Sequence, residues 1–106
     1  MTPQGNTRFF GMLGFAMRAG KVEVGTDAVL GLVSKGLASL VIIASDASDK
    51  SKERIKKKCE FYNTDCIEPA VDAETLSQRL GKISNTVCVA IKDDGFKKEI
   101  LKALEN

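Results

Sequence analysis

KVEVGTDAVLGLVSKGLASLVIIA, residues 21–44, changes its hydrophobic period twice. Its first four residues alternate polar and apolar, the two-residue period of a short strand or extended lead-in. Gly25 makes a turn. Val29, Leu30, Leu32, Val33 and Leu37 then recur at helical spacing, and Gly36 stops the helix. Residues 40–44 are β-branched and continuously apolar, the pattern of a central strand covered on both faces. A strand, helix and strand in this order point to a layered α/β fold.

The rest of the chain continues the alternation. Residues 8–19 place Phe9, Phe10, Met12, Leu13, Ala16 and Met17 at helical spacing, with Gly20 beyond, and the polar residues before them read as frayed. Asp46 and Ser48 are suited to cap a helix reaching Phe61, with Ile55, Cys59 and Tyr62 inward. A short strand over 65–68 follows, then a helix from Asp72 or Ala73 to about Leu80, closed by Gly81. Residues 86–91 form another β-branched run. Asp93 or Asp94 caps a last helix whose apolar stripe is Phe96, Ile100, Leu101 and Leu104. The expectation is a single α/β domain spanning all 106 residues, with helices packed on a small sheet.

Composition excludes several classes. The longest apolar run, LASLVIIA, falls far short of the roughly 20 residues that span a bilayer. The N-terminus lacks a signal peptide's order, so a cytoplasmic location is expected. Cys59, Cys66 and Cys88 are odd in number, no C-x-x-C occurs and histidine is absent, which argues against a disulfide framework, a zinc site or a cofactor. GFAMRAGK, residues 14–21, has five residues between its glycines where a P-loop has four, and Val22 replaces the magnesium-binding hydroxyl.

Two constellations remain. Asp46, Asp93 and Asp94 each follow a strand, where clustered carboxylates hold magnesium or a nucleotide in open α/β sheets, and where an N-cap is also wanted. The second is the small face of the opening helix, Asp27, Ala28, Gly31, Ser34 and Lys35. A mid-helix glycine costs about 1 kcal/mol relative to alanine. Gly25 and Thr26 present that helix's N-terminal amides on a tight turn, and Lys21 and Lys35 flank it; the face is either solvated or open to phosphates. A separate run, KSKERIKKK at 50–58, carries six cations against Glu53 alone, and reads as a polyanion contact or a solvated helix face.

Three stretches, GFAMRAGKVEVGTDAV, LVIIASDAS and VAIKDDGF, occur in an order and at separations that resemble the kink-turn-binding ribosomal-protein family, most closely its short bacterial YlxQ-type branch. The likeness covers about residues 9–104. It implies a three-layer α/β/α sandwich with a small mixed sheet, no catalysis, and a monomer that binds structured RNA of kink-turn type, ribosomal RNA included. In this family the bent RNA docks on a segment reading G-x-N-E-x-x-K. Gly25 matches its glycine, Asp27 stands at the Asn, Ala28 at the Glu and Gly31 at the Lys, and Lys21 matches a preceding basic residue. The second family contact falls on Gly81, Lys82, Ile83, Ser84 and Asn85, with Ile83 against an extruded base. Asp27 accepts hydrogen bonds but cannot donate to guanine O6 as an amide does.

Overall fold

The computed structural model describes residues 3–81 and 86–105, with side chains from residue 7 onward. Helix α1 (Pro3–Arg18) leads into strand β1 (Val22–Val24), α2 (Thr26–Ser34), β2 (Leu40–Ile43), α3 (Asp49–Phe61), β3 (Asp65–Ile67), α4 (Ala73–Arg79), β4 (Cys88–Ile91) and α5 (Asp94–Leu104). The four strands form one mixed sheet in the order β1-β4-β2-β3. β4 runs antiparallel to both β1 and β2, whereas β2 and β3 are parallel.

The continuous apolar runs are explained by a sheet covered on both sides. Leu40, Ile42, Ala44, Val89 and Ile91 face a core shared with Phe9 and Leu13 of α1, Leu76 of α4 and Ile100 of α5. Val41, Ile43, Cys88 and Ala90 face the other way, against Val29, Leu30 and Val33 of α2 and Ile55 and Cys59 of α3. The three-layer sandwich follows directly. The thiols are free: Cys59 and Cys88 are buried and Cys66 half-buried.

Four local expectations change. The α1 backbone is already helical at Pro3, upstream of the residue-8 start and within the stretch read as frayed; proline's fixed φ suits a first helical position. Tyr62 is the C-cap of α3 and 41% exposed, because the helix ends before its side chain turns inward. Leu37 lies beyond the Gly36 turn (φ 72) and is 55% exposed. Asp46 does not cap α3. Its Oδ1 accepts from Ala73 N at 2.8 Å at the start of α4, and Ser48 caps α3 by accepting from Ser51 N at 3.1 Å.

Candidate nucleic-acid interface

Strand pairing gives the sheet two ends. Val24, Ile43 and Cys88 lie at one, here the upper end, and Val22, Leu40 and Ile91 at the lower. Gly25 leaves β1 at the upper end with φ 103, a left-handed value that favours glycine. Its N–H donates to Cys88 O at 3.2 Å. The same approach brings Thr26 Oγ1 within 3.8 Å of Cys88 Sγ, and desolvation in this packing pushes the Cys88 thiol up from its usual value. The start of α2 is thereby fastened to the first residue of β4. Gly81 opens the connection from α4 to β4 with φ 70, and Thr86 N closes it by donating to the buried Ser77 Oγ at 2.6 Å.

The N-terminus of α2 differs from those that follow. Ser48, Asp72 and Asp93 each accept a hydrogen bond from the first turn of α3, α4 and α5. Gly25 offers α2 no side-chain cap, so its positive end faces outward without a side-chain acceptor. Asp27 and Ala28 are exposed there, and a Cβ built on Gly31 meets no atom within 4 Å. The small face of α2 is therefore not a packing contact within the described residues.

Gly25, Thr26, Asp27 and Ala28 gather at or next to the upper end, and Gly81 lies at the C-terminal end of α4. Lys82, Ile83, Ser84 and Asn85 lie outside the described residues. Lys21 and Lys35 do not join this cluster. Lys21 O accepts from Lys92 N at 2.8 Å at the lower end, and β1 puts about 13 Å of extended chain between Lys21 and Gly25. Lys35 caps the opposite end of α2.

Among the described residues, the cation paired with this cluster is Arg54, whose guanidinium lies 3.9 Å from the Asp27 carboxylate. It comes from α3, which packs beside α2 and runs the same way, and no motif around Asp27 announces it. Its signal in the sequence is only membership of the basic run. Two other cations of that run are committed elsewhere: Lys52 and Lys56 pair with Glu68 at 2.9 and 3.0 Å.

Those two lysines hold the Glu68 carboxyl below its ordinary range through charge-assisted hydrogen bonds. A depressed carboxylate stabilises the fold above its unfolded pKa of about 4.3 and loses that contribution as pH falls through its folded value. Glu68→Gln is therefore expected to lower Tm at neutral pH and to match the native chain in strong acid. A Tm difference that persisted unchanged at low pH would contradict this role.

The strand-end carboxylates do not form a site. Because β2 and β4 are antiparallel, Asp46 lies at the upper end and Asp93 and Asp94 at the lower. Asp93 Oδ2 accepts from Phe96 N at 3.0 Å and Asp46 is used by α4, so both carboxylates are occupied in anchoring helices. The described residues contain no group of three or more histidine, cysteine or acidic side chains placed to hold a metal ion. Nor is any described helix long and apolar enough to cross a membrane.

Comparison with known proteins matches residues 7–101 to the family described as Ribosomal protein L7Ae/L30e/S12e/Gadd45. An RNA-binding protein YlxQ from Enterococcus faecium is 33% identical over 94 residues, covering 89% of this chain and 88% of the relative. The RNA-binding protein YlxQ of Bacillus subtilis (strain 168) is 31% identical over 97 residues, covering 92% and 95%. Among solved structures, a protein of unknown function from Bacillus halodurans C superposes with a TM-score of 0.85 at 27% identity, covering 93% of this chain and 98% of that one. The Giardia lamblia 15.5kD RNA binding protein shares the fold, with a TM-score of 0.77 at 18% identity over 98% and 88% of the two chains.

Proposed function

This chain belongs to the ribosomal protein L7Ae/L30e/S12e/Gadd45 family, and on that premise we propose that it is a non-catalytic protein that binds structured RNA of kink-turn type. The observation that carries this reading is the uncapped N-terminus of α2, fastened at Gly25 to Cys88 where β4 begins. A sharply bent RNA exposes base edges and crowded phosphates. The first-turn amides of α2 and the Thr26 hydroxyl suit those acceptors, and Asp27 accepts from the N–H groups of a guanine edge. Ala28 and Gly31 leave the backbone approachable from outside. Lys82, Ile83, Ser84 and Asn85 complete the contact as the family resemblance assigns, with Ile83 against an extruded base. Lys21 and Lys35, at the lower end, meet only the outlying phosphates of such an RNA. Ribosomal RNA is the natural source of the motif.

The test is a titration against a kink-turn RNA and a duplex of equal length, repeated across salt concentrations. The kink-turn is expected to bind more tightly, with a log–log salt slope of a few units, since each phosphate neutralised contributes about 0.7 to 0.9. Equal binding of both RNAs would overturn the specificity. Gly31→Lys adds a test of place. The open space around its Cβ and the higher helix propensity of lysine predict a gain of up to about 0.7 kcal/mol in stability. If RNA lies on this face, the new ammonium also tightens kink-turn binding severalfold. Added stability with unchanged affinity would place the RNA elsewhere.

A further inference from the structure

We infer that the outward stripe of α3 formed by Lys50, Arg54, Lys57 and Phe61 is a track for an unpaired RNA strand continuing from the motif held at α2. The inference rests on the RNA-binding reading and extends it to a second surface. The six cations of the basic run are not equivalent. Lys52 and Lys56 are turned to Glu68, and Lys58 lies over the Tyr62 ring at 5.9 Å. The remaining three stand at positions i, i+4 and i+7, and so share one face of the helix. Phe61 extends the same face at i+11.

Each of these side chains is available. Lys50 is exposed, the Arg54 side chain is 64% exposed and that of Lys57 74%. Lys57 pairs with Glu53 at 2.8 Å, an exposed contact of the weak kind that a phosphate can replace. Ser48, Ser51 and Glu53 line the same shallow hollow as Lys50, Arg54 and Lys57; Ser48 donates to Ser51 Oγ at 3.0 Å, which leaves the Ser51 hydroxyl as a donor among the cations. The stripe is continuous with the proposed site, because Arg54 reaches Asp27 in the first turn of α2.

Phe61 decides what kind of polyanion fits. Its ring is 80% exposed and braced edge-on against Tyr62 at a centroid distance of 4.9 Å. A duplex hides its base faces, whereas an unpaired strand can set one on such a ring while its backbone follows the cations. From Lys50 to Phe61 the track runs about 16 Å.

The experiment uses the full chain and four RNAs: a blunt kink-turn, the same RNA with a short unpaired tail on either arm, and the tail alone. One tailed RNA is expected to bind about fivefold more tightly than the blunt one. Its salt slope should be steeper by about 2 units, as three single-strand phosphates would give. Arg54→Gln with Lys57→Gln should remove most of both gains, leaving a slope gain of about 0.7 from Lys50, while Phe61→Ala should reduce the affinity gain and leave the slope. If neither tail helps the native chain, or the tail helps the double variant equally, the track is refuted and the kink-turn reading stands. If the blunt RNA does not bind but the tail alone binds and needs Arg54 and Lys57, the kink-turn reading falls and the track survives. Binding to none of the four refutes both.

Discussion

Gly25→Val is expected to remove detectable kink-turn binding while leaving a folded protein. Gly25 sits at φ 103 and ψ 144, outside the backbone space that a β-branched residue tolerates. Strain of this kind costs about 1–3 kcal/mol if the turn is kept. If the turn relaxes instead, Gly25 N gives up Cys88 O, and the first turn of α2 swings away from the connection ending at Thr86. With the turn kept, the valine side chain stands in the open space beside it that the RNA is proposed to fill; with the turn relaxed, the two contacts proposed for RNA no longer meet in register. Circular dichroism and a titration at low temperature separate the outcomes. A valine variant that bound kink-turn RNA normally would show that the turn does not place the RNA.

Phe9→Ala should do the reverse. Phe9 is fully buried in the core that α1 shares with the sheet, on the face opposite α2. Truncating a buried phenylalanine costs about 3–5 kcal/mol, from lost burial and the cavity left behind. For a domain of this size the melting temperature should fall by on the order of 20 °C. RNA affinity measured well below the new Tm should stay within about twofold, since Phe9 lies on the face opposite α2 and the sheet between them is retained. Loss of affinity in parallel with stability would mean that the RNA surface is coupled through the sheet. Together the two variants separate a binding turn from the scaffold that carries it.

The strands and their covering helices were legible because their apolar patterns are strong. LVII at residues 40–43 and CVAI at 88–91 are apolar on both faces, and both prove fully buried. That same property hides their relative direction, since a strand apolar on both sides carries no mark of which neighbour it opposes. Asp46 and Asp93 therefore looked like neighbours and lie at opposite ends of the sheet. The distance from Lys21 to Gly25 is a matter of chain geometry. Residues 21–24 read as extended in the sequence and are so, which by itself puts about 13 Å between Lys21 and Gly25. The early start of α1 was masked by Gln4, Gly5, Asn6 and Thr7, three of them weak helix formers. Arg54 was visible as a charge but not as a neighbour of Asp27, because that contact depends on two helices packing side by side. The turn at Gly25 and the stop at Gly36 were legible from local chemistry alone.

The position of β1 in the sheet also sets the order in which the protein can become competent. β1 lies at an edge and hydrogen-bonds only to β4, with Val24 opposite Val89. During synthesis, at about 5–20 residues per second, β1 and the turn that follows it emerge several seconds before their partner strand exists. Pairings between such distant parts of a chain form late, after the loop between them has been closed at an entropic cost. The turn proposed to face RNA is thus among the first parts made and among the last assembled. A nascent chain that has not yet produced Cys88 lacks the strand partner that holds Gly25 N, so the proposed recognition of RNA at this turn waits until most of the protein has been translated.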